Sequence, residues 1–103
     1  MVPMTVNGVH FPLEQIAEVC RKYGACQLSL FGSILGQEFR PDSDIDLLVS
    51  FSPGTRISLL GIANMQADLS AILGRPVDLR SPEDLSKYFR HEVTRRAQLL
   101  HAA

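Results

Sequence analysis

The sequence predicts a small α/β (α+β) domain, a mixed β-sheet of three to four strands flanked by helices. Three observations predict it. Apolar residues recur at helical spacing in some segments and form short strand-length runs between them. Glycines stand where the helical stripes end. A chain of 103 residues has room for one core, so residues 1–103 read as a single domain.

Residues 1–11 read as a lead-in with Asn7-Gly8 as a turn signal. Pro12 suits the first position of a helix, because its missing N–H would have no partner there. Leu13, Ile16, Cys20 and Tyr23 recur at helical spacing, and Gly24 ends the helix. Strand one is expected from Cys26 to Phe31, Ser33 begins a short helical turn, and Arg40-Pro41-Asp42-Ser43 is a loop. The second strand runs from Asp44 to Phe51. Ile45, Leu47, Val49 and Phe51 make one apolar face and Leu48 continues the other, which predicts helices on both sides.

Ser52-Pro53-Gly54 ends that strand. A helix then follows over 57–73, with Leu59, Ile62, Met65, Leu69, Ile72 and Leu73 as its stripe and Gly74 as its stop. Gly61 inside it costs about 1 kcal/mol relative to Ala, which points to a close neighbour. Val77-Asp78-Leu79 is the third strand, Ser81-Pro82-Glu83-Asp84 a helix start, and 87–100 a terminal helix. The expected order is α-β-α-β-α-β-α.

The chemistry concentrates at two places. Gly32-Ser33 follows the apolar run Leu28-Ser29-Leu30-Phe31 and reads as a sharp strand-to-helix turn. A bare glycine lets backbone approach a phosphate, and N–H groups opening a helix favour its charge. Asp44 and Asp46 open the next strand, where residues i and i+2 share a face. Two parallel carboxylates repel unless a cation lies between them, and hard oxygen donors select Mg²⁺ or Mn²⁺. A phosphate cradle beside a carboxylate pair indicates metal-dependent phosphoryl or nucleotidyl chemistry.

The string Gly32-Ser33, ten residues, then Asp44, one residue, then Asp46 resembles the signature of the polymerase β-type nucleotidyltransferase superfamily. The short chain is similar to its minimal nucleotidyltransferase branch, whose members are commonly antitoxin partners of HEPN-domain ribonucleases. The likeness extends from the first helix through Pro76-Val77-Asp78-Leu79 to Tyr88-Phe89-Arg90. It implies the polymerase β-like fold, a nucleoside triphosphate substrate, and a third acid at Asp78. Ser33 would lie by the β- and γ-phosphates. One departure stands out. Many members carry a small-Arg-Gly segment after Gly-Ser, whereas Ile34-Leu35-Gly36-Gln37 stands here without a cation. Arg40 is a stand-in for phosphate binding, or a solvated loop residue.

The same residues admit other roles. Asp42, Asp44 and Asp46 mimic the start of a calcium loop, but Leu47 and Pro53 stand where that loop needs Gly and Glu. Ser33 also suits a helix N-cap, a role that coexists with phosphate binding. Asp78 is either an edge-strand acid facing water or the group that deprotonates an incoming hydroxyl while touching metal. Lys87, Arg90, His91, Arg95 and Arg96 make the last helix basic, as a solvated face, a docking surface or a reach toward phosphates. His10, His91 and His101 lack metal-ligand spacing. Cys20 and Cys26 read as reduced thiols, mostly buried.

A net charge of −1 offers no field for nucleic acid or an anionic membrane, so neither is an expected partner. No secretory pattern opens the chain and no apolar run approaches about 18 residues, which reads as cytoplasmic. The expected enzyme is a nucleotidyltransferase moving AMP from ATP onto a hydroxyl. Asp44 and Asp46 would hold two Mg²⁺ ions (Mn²⁺ in their place), with Asp78 on the second ion. By resemblance, the acceptor is a tyrosine of a HEPN toxin. Two other functions compete: a catalytically silent antitoxin that acts by binding, and a small-molecule nucleotidyltransferase built as a homodimer.

Overall fold

The computed structural model describes residues 4–103. Its first element is a hairpin of β1 (Met4–Val6) and β2 (Val9–Phe11), where a lead-in was expected. Asn7 and Gly8 both have positive φ, 52° and 82°, the turn that matches the twist of two paired strands. Asn-Gly between apolar strands is the sequence signal for this hairpin. Each arm is only three residues long, too short to show alternation.

Helix α1 (Leu13–Tyr23) begins one residue after Pro12, which takes the capping position, and stops at Gly24 in the left-handed conformation. It buries Ile16, Val19 and Cys20; burial pushes the Cys20 thiol up to about 11. Cys26 is half-buried, and the two cysteines are unbridged. Strand β3 (Ala25–Phe31) runs into a 3₁₀ turn (Gly32–Leu35), then loop 36–44 leads to β4 (Ile45–Phe51). Helix α2 (Leu59–Leu73) is capped by the Ser58 hydroxyl, which accepts from the Gly61 N–H at 3.0 Å. A Cβ at Gly61 would stand 2.7 Å from Ile57 Cγ1, which identifies the close neighbour expected there.

The expected α2 stripe needs one correction: Leu59 is 89 % exposed. It is the first helical residue, and the helix buries Met65 and Leu69 further along. Strand β5 (Val77–Arg80) follows, then a 3₁₀ turn (Pro82–Asp84) closed by reciprocal Ser81–Asp84 hydrogen bonds. The terminal helix is shorter than expected. Helix α3 (Lys87–Arg96) gives way to a sixth strand, β6 (Gln98–Ala102). No Gly or Pro marks that break, and β6 exists because it pairs antiparallel with β3, a contact no local pattern reveals.

The main sheet has the order β5-β4-β3-β6, with β4 and β5 parallel and the other pairs antiparallel. One face carries Leu28, Leu30, Ile45, Leu47, Val49, Val77 and Leu79 into a core with α1, α2 and the hairpin. The other face carries Ser29, Asp46, Leu48, Asp78 and Arg80. Leu48 is buried there, yet α3, which crosses that side, buries none of its residues. The cover expected on both faces is therefore complete on one and partial on the other. Among the described residues, no helix is long and apolar enough to cross a membrane.

Candidate active site

The partly covered face gathers the acids. Parallel pairing of β4 and β5 sets Asp46 directly beside Asp78 and Leu48 beside Arg80. Antiparallel pairing on the other side sets Asp46 beside Phe31, the residue before Gly32. The glycine is required twice over. Its φ of 79° is one L-residues rarely adopt, and a Cβ would collide with the Asp46 carboxylate, Cγ lying 3.0 Å away. Gly32 and Asp46 are thus one structural unit built from two distant segments.

Two devices hold the flanking loops. Asn7 Nδ2 donates to the carbonyls of Gly36 at 2.9 Å and Ile34 at 3.3 Å, so the hairpin clamps the Gly-Ser turn. Ile34 is fully buried beneath it. On the acid side, Arg75 Nη1 donates to the Ser43 carbonyl at 3.2 Å and its guanidinium lies over Phe39. The Ser43 hydroxyl accepts from Arg40 N–H at 3.0 Å, closing the loop just before Asp44.

The expected residues fall as follows. Asp46 and Asp78 are half-buried neighbours, and Asp44 is exposed one residue before β4. Ser33 lies inside the 3₁₀ turn and does not cap it; the turn is entered at Phe31 without a side-chain cap. That turn is four residues long, so helix-terminus charge contributes little there, and access to backbone rests on Gly32. Arg40 is exposed in its loop and makes no ion pair with a carboxylate among the described residues.

Arg80 joins these residues without being singled out by any motif. Its Nε donates to Asp78 Oδ2 at 3.0 Å, making it the cation that stands on the acids' own face. The available signal was its i+2 spacing from Asp78 on a strand.

Burial raises the Asp46 carboxyl above its ordinary value; the charges of Asp78 and then Asp44 push the same way, and Arg80 pulls it back. Three acids are electrostatically in one site. Their donor set is all carboxylate oxygen, the set for a hard divalent cation. Asp44 and Asp46 carry the right chemistry for such an ion. Among the described residues, however, no three acidic, His or Cys side chains converge well enough to ligate one ion. Asp78 is turned to Arg80 and fits only when that pair opens.

A cleft of about 500 Å³ adjoins Gly32, walled by Phe31, Leu35 and Gly36 on one side and by Glu92, Val93 and Arg96 of α3 on the other. Arg96 Nε pairs with Glu92 Oε1 at 2.8 Å at its rim. Part of the basic helix thus faces the Gly-Ser turn, while Lys87 lies over the exposed Tyr88 ring instead.

Comparison with known proteins identifies the family. Residues 14–103 match the family model for polymerase beta nucleotidyltransferases. A Methanocaldococcus jannaschii protein described as a candidate protein adenylyltransferase is 30 % identical over 94 residues, 91 % of this chain and 96 % of that one. A solved structure described as a candidate minimal nucleotidyltransferase is 38 % identical, with a TM-score of 0.68 over 82 % of this chain and 85 % of the other. A toxin–antitoxin complex with AMP-PNP superposes at a TM-score of 0.71, covering 90 % of this chain and 75 % of that one. At 20 % identity, it shares the fold.

Proposed function

This chain belongs to the polymerase β nucleotidyltransferase family, and on that premise we propose that it is a Mg²⁺-dependent protein adenylyltransferase acting as an antitoxin. It transfers AMP from ATP to a tyrosine hydroxyl of a HEPN-domain toxin. The observation that carries the reading is Asp46 packed against the bare Cα of Gly32 and paired in register with Asp78, close to an open cleft that Gly32 lines. The relative described as a candidate protein adenylyltransferase supports a protein acceptor, and the fold shared with a toxin–antitoxin complex supports a toxin as that acceptor.

In this reading Asp44 and Asp46 would hold two metal ions, with Asp78 on the second. Bound metal supplies neutralisation of the triphosphate charge. Gly32 and Ser33 lie against the β- and γ-phosphates, and the cleft under α3 takes the nucleoside. The tyrosine oxygen bonds to the α-phosphorus, the bond to the pyrophosphate bridge breaks, and pyrophosphate leaves. The hydroxyl proton passes to Asp78. Positioning and preorganised charge account for the acceleration, with no covalent enzyme intermediate.

A second reading, an antitoxin that acts by binding alone, is favoured by the cation-free Ile34-Leu35-Gly36-Gln37 segment and the Arg80-bound state of Asp78. Turnover separates the two. Catalytic amounts of this protein with toxin, ATP and Mg²⁺ should add AMP masses to the toxin and abolish RNA cleavage well below stoichiometric ratios. Protection that needs one-to-one protein, survives without ATP and leaves the toxin's mass unchanged would overturn the enzymatic reading.

A further inference from the structure

We propose that Arg80 is the exchangeable cation of this site: it holds Asp78 before substrate arrives, competes with metal for that carboxylate, and when released binds the triphosphate. The proposal rests on the nucleotidyltransferase reading above and adds to it a residue and an order of events.

The geometry begins with strand periodicity. Asp78 and Arg80 are two residues apart on β5, so both project to the face that carries Asp46 and Leu48. β5 is the edge strand of the sheet, which leaves the Arg80 side chain half-exposed and free to swing. Its Nε donates to Asp78 Oδ2 at 3.0 Å, so one oxygen of this acid is already engaged. The side chains are 48 % and 38 % exposed, and a partly solvated pair of this kind is weakly held. A divalent ion seated on Asp44 and Asp46 brings more charge to Asp78 than one guanidinium does.

The released guanidinium would stand on the sheet face that carries Asp46 and Asp78, within the site where the triphosphate is proposed to bind. A planar fork of N–H donors matches phosphate oxygens in pairs, which no single ammonium does. Two other cations near the site are committed elsewhere, and a third stands in the exposed loop. Arg75 holds the Ser43 carbonyl and Phe39, Arg96 is paired with Glu92, and Arg40 stands in the loop without a carboxylate partner among the described residues. No cation follows Ser33 through Gln37. Arg80 fills that deficit from the opposite side of the site.

The test measures binding, not turnover. Mn²⁺ without nucleotide, and Mg²⁺-AMP-PNP, are titrated by calorimetry into wild type, Arg80→Ala and Arg80→Lys, with Asp44→Asn/Asp46→Asn as the control that removes the metal site. Arg80→Ala should bind Mn²⁺ roughly threefold more tightly, the size of a weak competing pair. It should bind Mg²⁺-AMP-PNP about tenfold more weakly, the size of one lost charged hydrogen bond. Arg80→Lys should keep wild-type Mn²⁺ affinity and lose part of the nucleotide affinity. A structural role would weaken both ligands together, so opposite shifts are the signature. Unchanged or weaker Mn²⁺ binding by Arg80→Ala, or unchanged nucleotide binding, overturns the proposal while leaving the metal site standing. Mn²⁺ binding that is absent, or that persists undiminished in the Asp44→Asn/Asp46→Asn control, removes the site itself and this proposal with it. Failure of the toxin-modification experiment alone would leave the binding shifts intact.

Discussion

Alternate residues of β4 meet opposite conditions. Ile45, Leu47 and Val49 are at most 1 % exposed in the core, whereas Asp46 one step away is half-buried among two other acids and an arginine. The first set is placed where every contact favours the folded chain. The second is placed where burial and like charge oppose it. One strand therefore carries both the stability of the domain and its chemistry, and the core face supplies the rigidity that keeps the acids together on the other.

The largest effect should come from the core face. Leu47→Ala removes a fully buried side chain at the centre of the sheet, between the partners Leu30 and Leu79. It should cost about 2–5 kcal/mol, a fall in Tm of roughly 10 °C or more for a domain of this size. Thermal and urea unfolding check it. A loss under about 1 kcal/mol would show that the core face is not what holds β4.

A middle-sized effect should come from Gly32, where the two faces' demands meet. Gly32→Ala places an L-residue at φ 79°, a strain of about 1–2 kcal/mol, and drives a methyl group into the Asp46 carboxylate. The fold should survive with a lowered Tm, and Mn²⁺ binding should fall sharply because Asp46 is pushed aside. Retained Mn²⁺ affinity in a folded Gly32→Ala protein would break the link between the turn and the acids.

The contrast between faces also explains what was legible in the sequence. Helix α1, helix α2 and strands β3 to β5 follow from local periodicity and glycine stops, because each buries one continuous apolar face. Strand β6 and the full cover of the second face did not follow. Gln98-Leu99-Leu100 continues an apparently helical segment, and only its pairing with β3 makes it a strand. In the candidate site, Gly32, Asp44 and Asp46 could be named from sequence because one short segment carries the pattern. The neighbours that tune them were not. Asn7 and Arg80 act through contacts whose existence depends on hairpin docking and on which strand stands at the sheet edge.

The smallest effect tests the acid face directly. The Asp46 carboxyl is raised by burial and by Asp78 and Asp44, so the folded chain binds its proton more tightly than the unfolded chain does. Between the unfolded and folded values the native state carries more protons, and stability therefore falls as pH rises through that window. Above it, ionised Asp46 is a standing cost to the metal-free protein. Asp46→Asn keeps the shape and removes the charge, so near neutral pH with a chelator present it should melt slightly above wild type. Lowering the pH into the window should close the gap, because wild type then protonates and comes to resemble the Asn form. Added Mg²⁺ should reverse the ranking, stabilising wild type through binding to the folded state alone while leaving Asp46→Asn unmoved. Melting curves across pH, with and without Mg²⁺, check all three statements. An Asn variant less stable than metal-free wild type near neutral pH would mean that Asp46 already has a stabilising partner. The acid face would then be a structural network, not a site waiting for a cation.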